Sequence, residues 1–170
     1  TETVTVTITG TNDSPDVFVD TGDSAAESLT ETDTTLTTTG TLSVGDLDLT
    51  DVVTSDVTGV VASGTTTGLA SANAALQAML SSTGSVVNAS ETSNTLTWNF
   101  NSGGEAFDYL ANGESLTLTY TIEVTDSQGA TDTQNVTITV NGTNDAPVIT
   151  GGPDTSSLTE TDSGLTDSGT

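Results

Sequence analysis

Twenty-four aspartate and glutamate carboxylates are the only charged side chains in this 170-residue sequence, which has no lysine, arginine, histidine or cysteine. That inventory removes most catalytic chemistry at once. A serine triad needs histidine or lysine beside the nucleophile, a thiolate needs cysteine, and structural zinc needs cysteine or histidine. Carboxylates alone can hydrolyse glycosides in pairs or hold a hard cation through oxygen ligands. The formal charge of −24 excludes nucleic acid and anionic membrane surfaces as electrostatic partners, since both demand a basic patch. With no basic side chain available, each carboxylate must be solvated, hydrogen-bonded or bound to a cation.

The acids that matter are those the strands deliver to a common end. Six stretches alternate apolar residues with threonine or serine: Glu2 to Thr9, Leu36 to Val44, Val52 to Ala62, Thr95 to Phe100, Ser115 to Thr125 and Thr133 to Val140. Such alternation predicts half-buried strands, with two shorter ones at Val17–Val19 and Ala25–Thr30. Leu69, Ala72, Leu76, Met79 and Leu80 fall instead at helical spacing, so a short amphipathic helix packed on the sheets is expected over 69–82. Leu96, Trp98 and Phe100 are expected at the centre of the core, with Leu116, Leu118, Tyr120, Ile122 and Val124 facing them. In the strand from Val52, Val53, Val57 and either Val60 or Val61 are the core candidates. Many short strands with one helix make an all-β sandwich.

Strand direction then groups the acids, because antiparallel neighbours alternate in direction. Asn12 and Asp13 precede the first strand of the sandwich and define its top. The strand ending at Val44 delivers Asp46 and Asp48, with Asp51 beyond them, to that end, and the hairpin after Thr125 brings Asp126 and Asp132. At the bottom, Glu31 and Asp33 fall within reach of Asn144 and Asp145. These ten residues, Asp51 apart, are the expected metal ligands. Oxygen donors on flexible loops favour Ca²⁺ over the smaller, more exacting Mg²⁺.

The chain also repeats itself. Gly10-Thr11-Asn12-Asp13-Ser14-Pro15 returns 132 positions later as Gly142-Thr143-Asn144-Asp145-Ala146-Pro147, and each copy follows an alternating strand. Leu29-Thr30-Glu31-Thr32-Asp33 returns 129 positions later as Leu158-Thr159-Glu160-Thr161-Asp162. A fixed period with small indels marks a tandem array. The expected organisation is 1–13 as the last strand and linker of a preceding repeat, 14–142 as one complete repeat, and 143–170 as a linker and the start of the next.

Three stretches together resemble a known family: Gly142 to Pro147 after its strand, Gly40-Thr41-Leu42-Ser43-Val44-Gly45-Asp46-Leu47-Asp48, and Tyr120 to Ala130. They look like the VCBS repeats of giant bacterial surface adhesins. The resemblance implies cadherin- or immunoglobulin-like domains strung end to end, calcium rigidifying the linkers, and export to the bacterial surface. It would make the chain a structural extender, not an enzyme, whose expected partners are adjacent repeats, with lateral or end-to-end self-association open. A calcium-dependent carbohydrate- or ligand-binding module is the alternative, and an exposed Trp or Tyr beside a calcium site would support it.

Two other motifs dissolve on inspection. Val17-Phe18-Val19-Asp20-Thr21-Gly22 resembles the aspartic-protease signature, but that chemistry needs two carboxylates sharing a proton, and Asp20 has no counterpart in the second copy. Asp46-Leu47-Asp48-Leu49-Thr50-Asp51 begins like an EF-hand loop yet lacks glycine at its sixth position, and Val57 stands where the glutamate belongs.

Overall fold

Apolar residues alternating with threonine fold into two facing sheets, so that each strand buries one side and hydrates the other. The computed structural model describes residues 1–147 together with 158, 159, 162, 163, 165 and 166. Its elements are β1 (Asp16–Phe18), β2 (Ala26–Thr30), β3 (Thr37–Gly45), β4 (Val53–Gly64), α1 (Asn73–Gln77), β5 (Leu80–Ser82), β6 (Ser85–Val87), β7 (Ser93–Asn101), β8 (Ser115–Thr125) and β9 (Thr131–Asn141). One sheet runs β1-β3-β7-β5 and the other β2-β9-β8-β4-β6. The fold is an all-β, immunoglobulin-like sandwich.

The first strand crosses between the sheets. β1 pairs antiparallel with β3, while β2 pairs parallel with β9. The crossing is where the protease-like motif lies, and there it forms a turn: Asp23 N–H donates to the Asp20 carbonyl at 3.0 Å and Gly22 takes φ 98°. Asp23 is tied down by the Thr41 and Ser43 hydroxyls of β3, at 2.6 and 2.8 Å. Burial opposes the charge of Asp23, but these bonds and the Asp20 N–H outweigh it and hold its carboxyl below the ordinary range.

The core follows the expected faces. Leu96, Trp98 and Phe100 from β7 oppose Leu116, Leu118, Tyr120, Ile122 and Val124 from β8, all at most 1% exposed. In β4 a register shift between Val57 and Gly59 changes the phase of alternation, as a bulge does. Val53, Val57 and Val60 therefore point inward, and Val61 lies outside at 67% exposure. Trp98 lies across Gly40, its cross-strand partner, and donates its indole N–H to the Ser24 carbonyl at 2.9 Å.

Two expectations are corrected. The helix spans only Asn73–Gln77. Leu80, predicted to continue it, instead opens β5 opposite Phe100 of β7, since a paired strand buries Leu80 and satisfies its backbone at once. Residues 2–9 form no strand, and Val4, Val6 and Ile8 are 84%, 78% and 90% exposed. Their sequence matches β9, whose Val136, Ile138 and Val140 are fully buried because β2 and β8 flank that strand. Nothing flanks residues 2–9 among the described residues. Alternation marks a capacity to pair, and pairing needs a neighbour.

Gly40 gives a direct test of the core. A Cβ there would sit 2.3 Å from Trp98 Cζ2 and 2.9 Å from the Ser24 carbonyl. Gly40→Ala should cost about 1–3 kcal/mol through overpacking, read as a lower urea midpoint at unchanged m-value. An unchanged midpoint would contradict the placement of Trp98.

Candidate metal centre

β1 begins, and β3 and β8 end, at one edge of the sandwich, so the segments around Asn12, Asp46 and Asp126 converge there. The loop after β3 folds back on itself, with Asp51 N–H donating to the Asp48 carbonyl at 2.9 Å. The turn brings carboxylate oxygens of Asp46, Asp48 and Asp51 within 4.8 Å of one another. Asp46 Oδ1 accepts the Asp48 N–H at 2.8 Å. The linker closes over the loop: Asp13 N–H donates to Asp48 Oδ2 at 2.7 Å, and Asn12 Nδ2 donates to Asp126 Oδ2 at 2.9 Å. Between linker and loop lies a cleft of ≈ 260 Å³ lined by Asn12, Asp48, Asp51 and Gln128 among others.

The carboxylates of this end are not equally satisfied. Asp126 is served on both oxygens, its Oδ1 taking the N–H groups of Gln128 and Ala130 at 2.8 Å each. Burial works against its charge, but the Asn12 amide and these backbone donors prevail, and its carboxyl lies below the usual value. Asp46 and Asp51 are each 3% exposed, and Oδ2 of each is buried without a hydrogen-bond partner. Loss of hydration pushes the Asp51 carboxyl up, and Asp126, Asp46 and Asp48 push it further. Buried anions without partners are costly; a proton relieves one of them, and a cation shared by the cluster would relieve several.

Asn12, Asp13, Asp46, Asp48 and Asp126 thus come together as expected. Asp132 does not join them; its Oδ2 accepts the Val17 N–H at 2.9 Å and anchors β1 across the sandwich. Asp51 was absent from the expected ligands, although it carries one of the orphan oxygens. Its signal is the Asp-Leu-Asp-Leu-Thr-Asp spacing, which a turn at Asp48 converts into proximity.

The opposite end is built by the parallel β2–β9 pair, in which Thr30 lies beside Asn141. Glu31 is 1% exposed. Its Oε1 accepts the Thr143 N–H at 2.7 Å and the Thr143 hydroxyl, while Oε2 is buried without a partner. Asp33 and Asp145 are exposed. Lost hydration raises the Asp108 carboxyl, as do the charges of Asp33, Glu31, Asp145 and Glu105. Asn144 donates its amide to the neighbouring Asp145 carbonyl at 3.3 Å. Asp108 was not foreseen, though β7 runs antiparallel to β3 and so delivers the segment after Asn101 to this end.

No protein-family model and no curated protein matches the chain. Among solved structures it is similar to the ASH/PapD-like domain 7 of human CEP192, at 9% identity and TM-score 0.43, over 86% of this chain and 96% of that one. The CooA pilin subunit of enterotoxigenic Escherichia coli matches at 15% identity and TM-score 0.43, over 79% and 100%. AggA, the major subunit of Escherichia coli aggregative adherence fimbriae type I, matches at 12% and 0.36, over 79% and 99%. Likeness this distant says nothing about activity or partners.

Crowding at Asp51 has a measurable consequence. A carboxyl raised in the folded state stabilises the fold below its ordinary range and loses that contribution as pH climbs through the raised value. In EDTA the unfolding midpoint should therefore rise as pH falls from 7 toward about 4, below which depressed Asp126 works in the opposite sense. Asp51→Asn should raise the calcium-free midpoint at pH 7 and flatten this dependence. A lower midpoint for the variant in EDTA would contradict the crowding.

Proposed function

We propose that the chain is a structural extender: one immunoglobulin-like repeat of a long extracellular surface protein of the VCBS type, with Ca²⁺ fixing each sandwich to its linker and so to its neighbour. The observation that carries this reading is the pair of buried, unpartnered oxygens on Asp46 and Asp51, in a chain with no basic side chain. Asp46, Asp48, Asp51 and Asp126, with Asn12 and Asp13 from the linker, would hold the ion at the top; Asp33, Asp108 and Asp145, exposed beside the buried Glu31, form the acidic face that meets the next junction. An all-oxygen donor set of this kind suits calcium. What the ion supplies is charge neutralisation. What the chain supplies is the constraint: Asn12 and Asp13 already lie against Asp126 and Asp48, so a cation shared between the loop carboxylates and the linker's own oxygens would fix the linker on the sandwich.

The role is mechanical, not catalytic. Its partners are adjacent repeats, and its place is outside the cell, where calcium is abundant enough for weak sites. A sugar-binding reading would rest on an exposed aromatic beside the cluster; Trp98 and Tyr120 are 0% exposed, at the centre of the core, and the half-buried Tyr109 donates its hydroxyl to the Thr65 carbonyl at 3.0 Å. Among the described residues, no helix is long and apolar enough to cross a membrane.

Extracellular modules bind calcium at roughly 10⁻⁴–10⁻³ M. At 10 mM calcium, each site should then add about 1.4–2.7 kcal/mol, a rise of about 3–10 °C in Tm for a chain of this size. Magnesium should give less. Asp46→Asn should remove most of the rise while leaving the EDTA midpoint at or above that of the parent. Equal midpoints in calcium and EDTA would overturn the calcium reading.

A further inference from the structure

The linker motif occurs twice, once entering the sandwich and once leaving it, so its two faces are both on view. At the leaving copy the residues that touch the sandwich are the first two. Gly142 N–H donates to the Glu114 carbonyl at 3.0 Å, and a Cβ at Gly142 would stand 2.4 Å from the Leu110 carbonyl oxygen and 2.5 Å from that of Ala111. Only glycine fits there. Thr143 gives both its N–H and its hydroxyl to Glu31. Asn141, just before, donates its amide to the Ser28 hydroxyl and the Leu29 carbonyl at 2.9 and 3.0 Å, and the Glu31 N–H returns a bond to the Asn141 carbonyl at 2.8 Å. Asn144 and Asp145, which follow, are exposed.

At the entering copy the division is reversed. Gly10 has nothing within 4 Å of a built Cβ, and Thr11 is exposed. Asn12 and Asp13 make the contacts, with Asp126 and Asp48, and Pro15 is buried. Overlaying the two copies accounts for every position of Gly-Thr-Asn-Asp. Glycine and threonine belong to the sandwich behind, asparagine and aspartate to the sandwich ahead. Both partners of the rear contact recur in the sequence, threonine at 11 and 143 and glutamate at 31 and 160, although Glu160 lies outside the described residues.

We propose that Glu31 and Thr143 form a cation-independent latch that fixes the departing linker to its own sandwich, leaving calcium to close only the forward half of each junction. The proposal rests on the tandem reading above, and it assigns Glu31, expected as a metal ligand, a first duty that needs no metal. A charged acceptor serving two donors makes a strong contact, and its burial at 1% exposure shields it from salt. The held threonine and the forward-reaching asparagine are consecutive residues, with Cα atoms about 3.8 Å apart. A junction of that length has little slack once both sides engage.

Amide hydrogen exchange on the 170-residue chain in EDTA tests this without calcium. The Thr143 amide should exchange at least about tenfold more slowly than those of Asn144 and Asp145, the factor that a charge-assisted hydrogen bond supplies. Glu31→Ala should abolish that protection while β8 amides keep theirs. If that variant does not fold, Thr143→Val decides with the parent chain: loss of the hydroxyl should speed exchange at residue 143 while its N–H keeps a partner. Protection absent in EDTA, or appearing only when calcium is added, would overturn the latch. Protection in EDTA from a chain that binds no calcium would sustain the latch and remove the calcium junction.

Discussion

Everything at the ends of this sandwich depends on one imbalance: carboxylates are gathered where strands terminate, and no side chain of opposite charge exists to meet them. Hydrogen bonds solve part of the problem. Asp126 is fully satisfied by Asn12 and two backbone donors, Asp23 by hydroxyls of β3, and Asp132 by the start of β1. These acids act as fasteners, each joining segments far apart in sequence. Asp46 and Asp51 are each left with a buried oxygen that no group among the described residues meets, and these are the oxygens that the proposed cation would satisfy.

The same imbalance explains why the core is organised as it is. A chain that is only 32% hydrophobic and 4% aromatic concentrates its large side chains in β7 and β8, where each strand has neighbours on both sides. Threonine covers the outer faces without adding charge. The crossing from β1 to β2 lets one strand serve both sheets, and the parallel β2–β9 pair carries the exit of the sandwich to Glu31. Fold and junction are thus joined by hydrogen bonds: the strand that completes the second sheet is the strand whose end is latched.

Much of this was legible in the sequence, for a physical reason. β8 alternates without interruption and is observed over the residues that the pattern marks, Ser115–Thr125. Strand direction alone placed Asp46 and Asp126 together. The pattern failed where one set of residues satisfies two periods. Leu76, Met79 and Leu80 are all buried, as a helix would have them, yet Leu80 belongs to a strand because Phe100 offers it a partner. It failed again at residues 2–9, where alternation shows what a segment can do, and among the described residues no strand flanks it. Strand direction brought Asp51 to the top without making it a ligand, and Asp108 was not placed at all, because turns, not periodicity, aim their carboxylates.

The central claim is that a cation fixes the linker upon the sandwich ahead of it, and a distance across that contact tests it most directly. The sequence contains no cysteine, so spin labels at Thr11→Cys in the linker and Thr58→Cys on β4 would report a single pair. Pulsed electron paramagnetic resonance should give a narrow distance distribution in calcium and a broad one in EDTA, with Asp51→Asn broad in both. Equal widths in calcium and EDTA would contradict the account, leaving the acids at the top as turn residues and the linker position set by packing alone.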